Sequence, residues 1–90
     1  MKEMKPNEFE VFIDLINELN EEDIEFINAH YLDEDSSAID CINQLVFRKF
    51  NDIITNEEIE AIIKKYESPY DFATFKTVIL EDCVIVFAYI

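Results

Sequence analysis

Residues 75–90 read FKTVILEDCVIVFAYI, and the fold turns on whether they form strands or a helix. Valine, isoleucine and aromatic residues crowd this stretch, and such side chains suit a pleated, half-buried surface. Glu81-Asp82 divides it into two runs, in the manner of a two-residue turn. Against this, Phe72, Phe75, Ile79, Cys83, Val86 and Ile90 also follow a helical spacing. The β-rich composition favours a hairpin. Its second run is apolar from Cys83 to Ile90, which predicts that both faces of that strand are covered. Because a lone hairpin is marginal in water, it must lie on helices or pair with a further strand, including one from a second copy.

Upstream, apolar spacing and capping residues predict four helices. Asn7, with Glu10 three residues on, opens the first, whose apolar side is Phe9, Phe12, Leu15, Ile16 and Leu19. Asn20 and Asp23 open a short second helix carrying Ile24, Ile27 and Tyr31. After a turn at LDEDSS, Ser37 and Asp40 lead into a third with Ile39, Ile42, Val46, Phe50 and Ile53. Thr55-Asn56-Glu57-Glu58 is a capping box for the fourth, which buries Ile59, Ile62, Ile63 and Tyr66. Ser68-Pro69-Tyr70-Asp71 predicts one further helical turn before the hairpin. The chain has no glycine, so any turn needing positive φ falls to Asn or Asp, which disfavours a hairpin-rich sheet. The expected fold is α+β, about four short helices packed with a C-terminal β-hairpin, in one compact domain over residues 1–90. An all-α helical bundle is the alternative.

Charge is the feature that points outward. The net charge is −14, well beyond the magnitude of about 2–8 that keeps a small domain soluble. From Pro6 to Phe47 there are 12 Asp and Glu and no Lys or Arg. Direct contact with nucleic acid or an anionic membrane is excluded on charge. Glu10, Asp14 and Glu18 fall four apart, on the helix side opposite the apolar stripe, where like charges repel. Glu21, Glu22 and Glu25 continue the field, and Asp33, Glu34 and Asp35 form a further cluster, with Phe26 and Tyr31 as aromatic anchors. These eleven residues are the expected contact surface for a basic protein. The expected function is that of a small, acidic, non-enzymatic inhibitor: an immunity protein, an antitoxin or a phage-type nucleic-acid mimic directed at a nuclease. Its carboxylates would take the place of phosphates in a Lys/Arg groove and raise the association rate. A homodimer joined through the C-terminal strands is a further expectation.

Catalytic and metal signatures are weak. His30 is the lone histidine, with no Cys or His close by in the sequence. Asp33, Asp35 and Ser37 match the first ligand positions of an EF-hand loop, but Ala38 stands where glycine must turn it and Gln44 where a bidentate glutamate belongs. No metal or cofactor is expected. Cys41 and Cys83 read as buried thiols in a reducing cytoplasm. The opening MKEMKPNEFEV turns polar where a secretory signal would be apolar, so the expected location is cytoplasmic.

One family resemblance is visible in about 25 residues. Asp35-Ser36 opening a helix, followed at the matching distance by FNDIITNEE at 50–58, is similar to acyl carrier proteins. The resemblance implies a small helical fold and phosphopantetheine on Ser36, and this is the alternative function. The sequence departs from the pattern at Ser37, where leucine is usual, and at Glu34, where glycine is usual.

Overall fold

The structure is a computed structural model that describes residues 2–32, 42–50, 54–67 and 74–89. In chain order the elements are β1 (Lys2–Glu3), a 3-10 turn (Glu10–Phe12), α1 (Ile13–Glu21), β2 (Ile24–Tyr31), β3 (Ile42–Lys49), α2 (Asn56–Lys65), β4 (Thr74–Ile79) and β5 (Cys83–Tyr89). The strands form one antiparallel sheet in the order β1-β2-β3-β5-β4. Helix α1 packs on β2, α2 packs on β4, and the two helices touch each other. Among the described residues, no helix is long and apolar enough to cross a membrane.

This architecture overturns the expected one. Among the described residues there are two helices and a five-stranded sheet, not four helices with a terminal hairpin, and not an all-α bundle. The expected second helix is strand β2, and the heart of the expected third is strand β3. The residues that suggested a helix do not share one face: Ile24 is buried, while Ile27 is 48% exposed at a β-bulge between Phe26 and Asn28. An extra residue there breaks the alternation, so the helix-facing positions become Ile24, Phe26, Ala29 and Tyr31. Asn20 and Asp23 do not cap a helix. Asn20 Oδ1 accepts the Phe26 N–H at 3.0 Å, and Asp23 adopts φ 61°, the left-handed conformation usually left to glycine. Together they end α1 and launch β2. The absence of glycine therefore did not prevent a sheet.

Other expectations hold. The capping box of α2 forms, with Thr55 Oγ1 accepting the Glu58 N–H at 3.2 Å. Phe12, Leu15, Ile16 and Leu19 are buried from the first amphipathic stretch. The terminal hairpin is present as β4 and β5, closed around Glu81-Asp82 by a Leu80 N–H bond to the Cys83 carbonyl at 2.8 Å. The turn expected at residues 68–71 lies outside the described residues.

The core sits between helices and sheet. Ile59 and Ile63 of α2 meet Leu45 and Phe47 of β3 and Val84, Val86 and Ala88 of β5, all sealed from solvent. Phe26 stacks between Phe9 and Phe47, with centroids 5.0 and 5.5 Å away. Paired residues on neighbouring strands share a face. The opposite face of β3 and β5 therefore carries Ile42, Gln44 and Val46 beside Cys83, Ile85, Phe87 and Tyr89. These residues are half-buried, and no helix covers them among the described residues. The expectation that β5 is covered on both faces is met on the helix side, and on the other side no cover is found among the described residues.

Candidate partner interface

The structure separates the predicted contact residues into groups. Glu10, Asp14, Glu21 and Glu22 are exposed on the 3-10 turn, α1 and its C-terminal end, and together they form one acidic surface on the helix layer. Glu18 is not free to join them. Lys65 Nζ lies 2.6 Å from its Oε2, and the Tyr66 hydroxyl donates to its Oε1 at 2.7 Å. Hydrogen bonding from Lys65, then from Tyr66, holds the Glu18 carboxyl below the usual carboxylate range. The same bond to Glu18, reinforced by burial, pushes the Tyr66 phenol up to about 12. Glu18 thus ties α1 to α2.

Glu25 pairs across the strands with Arg48 at a strand position that alternates away from the helices, and it also lines the groove beside α1. Phe26 faces the core, and Tyr31 is half-buried with its hydroxyl donating to Glu8 Oε2 at 2.8 Å. Tyr31 is thus engaged within the chain, whereas Phe26 also lines the groove beside α1. Glu8, which sequence reasoning left aside, also accepts the Lys5 N–H at 2.9 Å. That backbone bond, followed by the Tyr31 bond, lowers its pKa. Asp33, Glu34, Asp35, Ser36 and Cys41 lie outside the described residues.

Residues that the helical reading hid supply the apolar part of the surface. Ile13 and Phe50 are 42% and 57% exposed, and both line a groove of about 520 Å³ beside α1 whose wall includes Ile16, Asn17, Asn20 and Phe26. Asp23 stands at its edge, and the Arg48 guanidinium lies 5.4 Å from the Phe50 ring centroid. An exposed phenylalanine just past a strand end would have been a usable signal, but the predicted third helix buried it. On the other side of the layer, Glu57, Glu60, Lys64 and Glu67 surround Ile63 and Phe75 in a second groove of about 420 Å³.

The placement of charge on α1 works against its own stability. A helix C-terminus carries partial negative charge and favours Lys or Arg. Helix α1 has no basic residue in its last turn and ends in Glu21 and Glu22, whereas α2 has Glu57 and Glu58 in its first turn and Lys64 and Lys65 in its last.

His30 lies on β2, with its Nδ1 buried and lacking a hydrogen-bond partner among the described residues. Among the described residues, no group of three or more His, Cys, Asp or Glu could hold a metal ion. Cys83 is a free, half-buried thiol on the uncovered side of the sheet and not a core thiol as expected. The helical fold implied by the carrier-protein resemblance is not adopted. Comparison with protein-family models, curated proteins and solved structures finds no match.

Proposed function

We propose that this chain is a non-enzymatic binding protein that engages a basic protein through the helix layer and thereby inhibits it. The observation that carries this reading is the surface of α1, where Glu10, Asp14, Glu21 and Glu22 adjoin a groove exposing Ile13 and Phe50. Interfaces commonly combine an apolar anchor region with a charged rim. The carboxylates steer a cationic partner and pair with its Lys and Arg, while Ile13 and Phe50 supply desolvated contact. The unfavourable charge at the end of α1 supports the same reading, because it serves the fold poorly. A nuclease or another protein with a phosphate-binding groove fits this chemistry, in the manner of an immunity protein or antitoxin. The setting that suits it is a reducing cytoplasm, which would leave Cys83 a free thiol.

The test is parallel capture from the native host with three baits: wild type, the combined E10Q/D14N/E21Q/E22Q variant, and Phe50→Ser. The expected result is a basic protein retained by wild type, released by added salt, lost with the charge variant and weakened by Phe50→Ser. The captured protein should also lose nucleic-acid binding when wild type is added. Retention of the same partner by the folded charge variant at low salt would remove this surface from the mechanism.

A further inference from the structure

We infer that the face of the sheet left uncovered by the described residues is the seat of a second copy of this chain, packed sheet against sheet. Across β3, β5 and β4 the register aligns Val46, Ile85 and Val78 in one row, with Ile42 beside Tyr89 in another. Phe87 stands between these rows. Val78 is 42% exposed, and Val46 and Ile85 in the same row are half-buried. Gln44 and Lys76 flank Phe87 between the rows, and apolar rows exposed in this way mark interaction surfaces.

Charge decides what covers it. The chain carries −14 overall, yet the described residues on this face balance: Glu3 and Glu25 against Arg48 and Lys76. Glu3, Glu25 and Arg48 lie at the margins of the apolar rows, and Lys76 lies between them with its Nζ 5.4 Å from the Tyr89 ring centroid. A basic partner finds no negative field here, and an anionic membrane finds no positive one. A second copy is the occupant for which neutrality matters most. Any net charge on this face would meet the same charge across a twofold axis, in an isologous contact that repeats every residue. Apolar rows accompanied by balanced charges avoid that repulsion, and they leave both acidic helix layers pointing away from each other. Face-to-face sheets pack about 10 Å apart through interdigitated side chains, as Val46, Ile85 and Phe87 would do here.

This inference stands apart from the reading of the helix layer, because salt acts on the two in opposite directions. Screening weakens capture of a basic partner but relieves the mutual repulsion of two −14 chains. The experiment is sedimentation equilibrium of the full chain over a range of concentrations at low and high salt. It is joined by peptide-resolved thiol labelling of Cys83, which lies on this face. The expected result is a dimer that tightens with added salt, and Cys83 labelling that slows as protein concentration rises. Ile85→Arg should give a monomer that still melts cooperatively, with labelling independent of concentration. Should that variant unfold, Val78→Lys at the edge of the row provides the same readout. A wild-type chain that remains monomeric at high salt, with Cys83 labelling unchanged by concentration, overturns the proposal. A dimer left intact by Ile85→Arg does so too, and flotation of the monomer with zwitterionic vesicles would assign the face to lipid.

Discussion

Along β5, neighbouring residues of similar hydropathy meet opposite fates. Val84, Val86 and Ala88 are sealed beneath the helices, while Cys83, Ile85, Phe87 and Tyr89 alternate with them on the side that no helix covers among the described residues. Beyond the sealed set lies an acidic helix surface, whereas the open set is accompanied by balanced charges. The two sides of one sheet thus carry different physics. Cohesion within the chain is concentrated on one side, and the apolar area on the other is left for an external surface.

The largest test of this contrast is a pair of substitutions on adjacent residues of β3. Phe47→Ala empties a fully buried ring site and should cost about 3–5 kcal/mol, a large share of a total of roughly 5–15 kcal/mol. Val46→Ala on the open side should cost about 1 kcal/mol or less in dilute solution, since only part of the side chain is buried. Urea denaturation of both variants checks the ratio. Equal costs at low concentration would mean that the open side is covered from within the chain.

Why the sheet was hard to read follows from those same residues. A strand with one wet face shows clean alternation, but β3 has Leu45 and Phe47 on one face and Ile42 and Val46 on the other. Apolar residues on both sides erase the period of two and leave Ile42 and Val46 four apart, as in a helix. In β2 the bulge at Ile27 also breaks the alternation. The amphipathic stripe of α1, the Thr55 cap of α2 and the hairpin were legible because each is a local signal. At the candidate interface the acids of α1 were legible, but the engagement of Glu18 was not. Its partners Lys65 and Tyr66 come from α2, and no local pattern announces a contact between distant helices.

A smaller effect concerns that tie. Tyr66 should ionise late in an alkaline titration, near pH 12, with Tyr66→Phe deleting the late phase at the phenolate absorption band. A phenol whose pKa is raised on folding stabilises the protein fully below its unfolded value of 10. It gives up that contribution as pH climbs from 10 through 12. Glu18 has the opposite sign: its lowered pKa stabilises the fold above the ordinary carboxylate value of 4.5, and the contribution is lost as acid protonates it. The wild type should therefore be more sensitive than Glu18→Gln at both ends of the pH scale, as followed by thermal melting.

The smallest expected effect lies on the outward surface of the helix layer. Neutralising Glu10, Asp14, Glu21 and Glu22 together should leave the melting temperature unchanged or slightly raised, because their repulsion and the clash of Glu21 and Glu22 with the α1 dipole are relieved. A clear fall in melting temperature would show that these acids belong to the fold, and the contrast between the two layers would weaken accordingly.

The strand order also bears on how quickly the molecule assembles. β2 pairs with β3, and β4 with β5, but the seam between these pairs joins β3 to β5 across the whole of α2 and β4. The β4–β5 hairpin can close in microseconds, whereas the seam requires a long loop to be drawn in before any of its bonds forms. The β3–β5 seam is therefore expected to form after the hairpin. Until it closes, the edges of two half-sheets stand open to each other and to those of neighbouring chains.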